Sequence, residues 1–246
     1  MRKVLFSWRG RNVYSYPAML YVGVLAGVFF GAHVARSSGM SADRFAIAVV
    51  ILLVPALAGS RLYFVLSRWD VYRCDPARIW RRNEGGMSMY GGFILAVPLS
   101  IPLLRSLGLP FGSFWDAGVL TILLGMAFTR IGCFLNGCCS GRPSDAWFAV
   151  LLPDHRGILQ RRMPTQLIEM VFAFMLFGAA LTLRDYAPFS GALFCFVVVA
   201  YGLGRWYLET LRDDETGGQD RTAVQATSIL LVIAALAGLG LLWGAP

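Results

Sequence analysis

Seven apolar stretches, each long enough to cross a bilayer, divide this 246-residue sequence. A membrane-spanning helix needs about 17–25 mostly apolar residues. Runs of that length lie near 17–35, 45–66, 88–104, 113–129, 165–183, 189–211 and 223–244. In hydrocarbon every backbone N–H and C=O must find its partner within the protein, which restricts such runs to helices. Composition agrees, because 57% hydrophobic residues with only 15% charged ones exclude an ordinary soluble domain. The expected architecture is an all-α integral membrane protein of about seven transmembrane helices. Residues 1–246 would form a single polytopic domain with two longer extramembrane loops, 67–87 and 130–164. No internal repeat or low-complexity tract interrupts it. The opening "MRKVLFSWRGRNVYSYP" is basic, but the apolar run after it lacks a cleavage site and is long enough to span, so it reads as a first helix.

Basic residues are unevenly placed. In a seven-span arrangement the N-terminal segment, both long loops and the connection 212–222 share one side and hold sixteen Lys and Arg. The other side holds four, Arg36, Arg44, Arg105 and Arg184. The positive-inside rule places the sixteen in the cytoplasm. A surface for anionic lipid headgroups is a second use of the same charge.

Ionisable residues inside a span are costly and mark function by default. In "AYGLGRWYLETLRDD", Tyr201, Arg205, Glu209 and Arg212 are spaced by four, four and three, which puts them on one helical face. Either Arg205 and Glu209 form an ion pair that locks helices, or Glu209 orients Arg205 toward an anion. Arg61 in "AGSRLYFVL" follows Ala58, Gly59 and Ser60, small residues that permit close helix approach, so packing and ligand contact both fit. Arg130 is expected to end the fourth helix and open a turn carrying Gly132, Gly137 and Gly141, where backbone N–H groups can approach an anion. "GGMSMYGGF" (85–93) sets a Gly-Gly pair on each side of Tyr90 and predicts a helix break or a close approach to the backbone. Three arginines, two tyrosines and two glycine-rich breaks at membrane depth suit a phosphate on an acyl chain better than a cation pore.

"TRIGCFLNGCCSG" (129–141) adds Cys133, Cys138 and Cys139. The Cys-x4-Cys-Cys spacing is unlike common metal sets, adjacent cysteines rarely chelate one ion, and neither His33 nor His155 is close in sequence. No Cys-x-x-Cys redox pattern is present. Packing and turn formation, with contact to substrate, is the favoured reading; nearby arginine lowers a thiol pKa and keeps reactivity open. Five cysteines do not make a disulfide framework, and Cys195, in mid-helix, reads as packing.

These segments together resemble the prolipoprotein diacylglyceryl transferase family, and the resemblance covers nearly the whole chain. "SYPAML" is similar to its first-helix tyrosine motif, which gives Tyr16. "GSRLYFVL" is similar to its second-helix arginine motif, which gives Arg61. "GGMSMYGGFI", "TRIGCFLNGCCSG", "MPTQLIE" and "YGLGRWYLETLRDD" match four further segments in order. The resemblance implies a seven-helix bacterial inner-membrane enzyme. It would move diacylglyceryl from phosphatidylglycerol to the lipobox cysteine thiol of a preprolipoprotein, leaving a thioether and releasing glycerol phosphate. On it Arg130, Arg205, Tyr90 and Glu209 are the catalytic candidates. Tyr16, Arg61, Gly91, Gly92, Asn136, Gly141, Gln166, Glu169, Tyr201 and Arg212 are the substrate-binding candidates, with the three glycines giving the lipid close approach. It implies no metal, no organic cofactor and no nucleic acid. The chain departs from the family pattern where Tyr90 and Met163 replace histidines and where Cys133 and Cys138 replace asparagine and glutamate. The family also has its N-terminus and long loops outside, opposite to the charge count. Two other readings stay open: the same lipid pocket with another acceptor, and lipid binding without catalysis. A transporter would show paired broken helices in two similar halves, a pattern the sequence lacks.

Overall fold

The computed structural model describes residues 2–80, 86, 88–153, 158–212 and 221–243. It opens with an antiparallel hairpin, β1 (Val4–Trp8) and β2 (Arg11–Tyr14), that runs directly into α1 (Ser15–Ser37). Then follow α2 (Ala42–Leu66), the one-turn α3 (Trp69–Tyr72), α4 (Met89–Leu107) and α5 (Phe111–Asn136). A second antiparallel hairpin, β3 (Val150–Pro153) with β4 (Leu159–Arg162), precedes α6 (Thr165–Leu183), α7 (Ala192–Glu209) and α8 (Arg221–Trp243). All helices except α3 are long and apolar enough to cross a membrane, which makes seven among the described residues. Their outer faces carry apolar side chains such as Leu25, Phe29 and Val54, each at least 70% exposed. In water such a surface would aggregate; in lipid it needs no partner.

The bundle is held by close backbone contacts. Gly23, Gly27 and Gly31 recur every four residues on α1 and face α5. A Cβ at Gly27 would come within 2.6 Å of the Thr121 carbonyl, and one at Gly31 would overlap Thr121 Oγ1. Small residues at such spacing let membrane helices gain dispersion contacts that lipid cannot supply. Gly59 of α2 and Gly91 of α4 meet in the same way, each lying against the other's carbonyl. Asp116, near the start of α5, accepts the Gly191 N–H (2.7 Å) and the Phe194 N–H (2.8 Å). It thereby caps α7 from a neighbouring helix, where the local sequence supplies no capping side chain.

Several expected boundaries move. The fourth span does not stop at 129. Ile131, Cys133, Phe134 and Leu135 continue its apolar pattern without a proline, so α5 runs on to Asn136 and carries Arg130 and Gly132 within it. Gly132 serves packing rather than a turn: a Cβ there would lie 3.2 Å from Tyr16 Cα on α1. The stop is Gly137, left-handed at φ +76°, with the Cys138 N–H bonded to the Cys133 carbonyl (3.1 Å). The loop expected from 130 therefore begins at 137 and contains the β3–β4 hairpin. At the other end α7 closes at Glu209, so Arg212 leaves the helical stripe and bridges to Gly141 instead. Gly85, Met87, His155, Asp213, Asp214 and the expected end of the last span at 244 lie outside the described residues.

Candidate functional site

Four charged side chains from three helices form one chain of ion pairs at the end of the bundle that bears the two hairpins. Arg130 on α5 pairs with Glu169 through Nη2–Oε2. The other Glu169 oxygen lies 3.6 Å from Arg205 Nη1, and Arg205 Nη2 lies 2.5 Å from Glu209 Oε2. Glu169, Arg205 and Glu209 are buried, while the Arg130 side chain keeps 19% of its surface exposed. The sequence placed Arg205 and Glu209 on one face, and the structure brings them together. It did not reveal that Glu169 is the link between the two arginines. The 2-and-2 charge balance makes burial tolerable, and each guanidinium has five N–H donors, more than its carboxylate partners occupy. Among the described residues, Arg205 Nη1, Gln166 Oε1 and Arg212 Nε are buried without a hydrogen-bond partner.

An apolar cavity of about 440 Å³ lies between α4, α5, α7 and α8. Phe93, Val97, Leu123 and Val197 line it, and Tyr90 and Tyr201 line it too. Tyr201 lies within electrostatic reach of Arg205, Glu169 and Arg130 and stacks on Phe172. The Tyr90 hydroxyl is buried 2.5 Å from Ser228 Oγ on α8, with Arg205 and Glu209 acting on it from α7. Ser228 is a residue the sequence reading missed; a Thr-Ser pair inside the apolar run of α8 was the available signal. Its neighbour Thr227 meets Tyr63 in the same way at 2.5 Å. Such a cavity can take an acyl chain while the arginines meet a headgroup phosphate.

The remaining expected residues sit in two groups. Tyr16, Asn136, Gly141, Gln166 and Arg212 surround the turn after α5. Gln166 Nε2 donates to the Cys138 carbonyl (2.7 Å) and Thr165 Oγ1 to the Cys139 carbonyl (2.9 Å). The Gly141 N–H bonds to the Met163 carbonyl (2.9 Å), and a Cβ there would strike Leu211, Thr165 and Met163. Asn136 lies beside Cys138, and Tyr16 lies beside Arg130 and the three cysteines. The Cys139 thiol is held well below the usual thiol range by its contacts with Cys133 and Cys138, with Arg212 and Arg130 acting in the same direction.

Arg61 belongs to a different group. It donates to the carbonyls of Arg78, Ile79 and Gly86 and lies 5.7 Å from the Phe64 and Tyr72 ring centres. This ties the 3-10 turn at 76–80 and Gly86 to α2. Gly91 and Gly92 are filled by protein, namely Gly59 and Tyr63 for one and Ser60 and Ala56 for the other. They bring α2 and α4 together rather than opening a wall to lipid.

Comparison with known proteins bears on this geometry. A family model described as prolipoprotein diacylglyceryl transferase matches residues 3–241. A protein of Halalkalibacterium halodurans named phosphatidylglycerol–prolipoprotein diacylglyceryl transferase is 31% identical over 243 residues, covering 94% of this chain and 82% of its own length. Proteins of the same name from Shouchella clausii and Bacillus cereus are each 30% identical, covering 92% and 90% of this chain and 84% of their own lengths.

Proposed function

The chain belongs to the prolipoprotein diacylglyceryl transferase family, and from that premise we propose that it transfers diacylglyceryl from phosphatidylglycerol to a lipobox cysteine thiol, in a bacterial inner membrane. The observation that carries this reading is the Arg130–Glu169–Arg205–Glu209 chain, together with Tyr201, which lines an apolar cavity and lies within electrostatic reach of Arg205, Glu169 and Arg130. An acyl chain occupies the cavity and the phosphate meets the guanidiniums. The acceptor sulfur attacks the glycerol CH2 that bears the phosphate, and the C–O electron pair leaves with glycerol phosphate.

Arg130 and Arg205 stabilise the charge that develops on the leaving oxygen. Glu169 and Glu209 hold both guanidiniums in place before substrate arrives, so little reorganisation is needed. Tyr201 and Tyr90 offer hydroxyls beside the phosphate. Tyr16, Asn136, Gln166 and Arg212 face the acceptor side, and Gly141 fixes the turn that carries them. In this reading the 1–246 chain acts as one polytopic domain, and the loops expected at 67–87 and 130–164, the second beginning at 137, contribute to the site. The direct test uses detergent-purified protein, phosphatidylglycerol and a lipobox peptide. Expected is a diacylglyceryl mass gain on the peptide cysteine with stoichiometric glycerol phosphate. Glycerol phosphate without peptide modification would assign another acceptor, and lipid bound without either product would make this a binding protein.

A further inference from the structure

Three free thiols at the end of α5 are not needed by the ion-pair chain, yet they converge. The Sγ atoms of Cys133, Cys138 and Cys139 all lie within 4.8 Å of one another. Adjacent cysteines would ordinarily point apart. Here Gly137 ends the helix in a left-handed conformation, and Cys139 is itself left-handed at φ +62°, which turns its thiol back onto the other two. That conformation is disfavoured for a side-chain-bearing residue and persists only where its surroundings impose it. Thr165 and Gln166 impose it by bonding the carbonyls of Cys139 and Cys138, which leaves the thiols to each other.

A packing cluster would bury all three. Only Cys133 is buried, while Cys138 and Cys139 keep surface exposed. Zinc–sulfur bonds of about 2.3 Å in a tetrahedron place sulfurs roughly 3.8 Å apart, within the separation found. Three thiolates also need counter-charge. Arg130, one turn before Cys133 on α5, and Arg212, across the bridge to Gly141, both act on this cluster.

We infer that Cys133, Cys138 and Cys139 bind one thiophilic divalent ion of the zinc class through three thiolates, leaving the fourth position to the acceptor thiol. Three protein ligands with an open position are the pattern of zinc sites that take substrate. The acceptor half of this inference rests on the transferase reading; the metal half does not. Among the described residues no imidazole stands at this end of the bundle. His33 lies seventeen residues along α1 from Tyr16, about 25 Å at 1.5 Å per residue. When the acceptor sulfur enters the fourth position its proton passes to solvent. Its lone pair then forms the S–C bond, and the C–O pair departs with glycerol phosphate. The thioether product is a weaker donor and leaves the ion. No atom changes oxidation state on the ion.

The test is metal analysis of the full chain purified without chelator, followed by exchange with Co²⁺. Expected are one zinc per chain, its loss in Cys138→Ser, and a thiolate-to-cobalt charge-transfer band in wild type. A peptide with the lipobox cysteine should perturb that band, and the same peptide with serine should not. Wild-type protein with neither zinc nor a cobalt band would overturn the site. So would a disulfide between any two of the three in freshly isolated protein. A cobalt band indifferent to the cysteine peptide would overturn the acceptor position. These readouts need no turnover: bound metal with no transferase product would reject the transferase reading alone, and full activity without metal would reject this one alone.

Discussion

Glu169 of α6 lies 3.6 Å, Oε1 to Nη1, from Arg205 of α7 while its other oxygen pairs with Arg130 of α5. One carboxylate thus joins three helices and fixes the relative position of two guanidiniums. Removing it would leave the buried Arg205 and the partly exposed Arg130 facing each other with only Glu209 to balance them. Breaking a buried pair in this way typically costs about 3–5 kcal/mol.

Glu169→Gln should therefore both destabilise the protein and abolish transfer. Arg205→Ala and Arg130→Ala should lower turnover by at least about 10²–10³-fold, the usual cost of one donor to a developing oxyanion. Arg130→Lys should recover little, because an ammonium cannot satisfy Glu169 and a phosphate in one plane. Turnover of phosphatidylglycerol with a thermal melt for each variant separates the two effects. Wild-type rates in both arginine variants would remove the ion-pair chain from the mechanism.

Tyr90→Phe deletes a hydroxyl that is 2.5 Å from Ser228 Oγ. Ser228 keeps its bond to the Val224 carbonyl at 2.9 Å, so the fold should lose only about 1 kcal/mol. A fall in turnover larger than that stability change would show that the phenol takes part in the reaction. Unchanged turnover would leave it a packing group between α4 and α8.

The α7 stripe was readable because helical period alone aligns Tyr201, Arg205 and Glu209. The seven spans were readable because hydrocarbon demands length and apolarity of each one separately. What could not be read depends on residues far apart in sequence. Glu169 lies 39 positions after Arg130, and Ser228 lies 138 after Tyr90, and no local pattern announces either partner. Arg130 and Gly132 looked like the mouth of a turn because charge and glycine usually end a span. Here the arginine is paired and the glycine is a contact point for α1. The convergence of the three thiols depends on one left-handed residue, Cys139, a backbone choice that sequence does not dictate for cysteine.

Gly31→Ala should weaken the α1–α5 contact, since the new Cβ would overlap Thr121 Oγ1 and approach Phe45 at 2.9 Å. Overpacking of this kind costs about 1–3 kcal/mol. Thr121→Ala combined with it should restore part of the loss by removing the hydroxyl, leaving the Phe45 contact. A double-mutant cycle by thermal melting in detergent measures the coupling, and additive losses would contradict the contact.

The orientation of the chain follows from asking which basic residues are free to act as topological signals. Sixteen lie on the side of the two long loops, but several of them are committed to the fold. Arg130 is paired with Glu169, and Arg162 is buried and donates to the Gly141 carbonyl. Arg161 donates to the Ala146 carbonyl, and Arg212 sits in the bridge to Gly141. Setting these four aside leaves twelve basic residues against four, so the count alone still favours the cytoplasm. The proposed transferase function nevertheless requires the long loops to face outward, where lipoprotein substrates are presented. Cys74 is a built-in reporter, being an exposed thiol within 67–87. In intact cells a membrane-impermeant maleimide should label it, and Cys74→Ser should lose that label. Labelling only after the membrane is opened would put the loops in the cytoplasm, restore the charge count as the correct guide, and take the lipobox acceptor away from this protein.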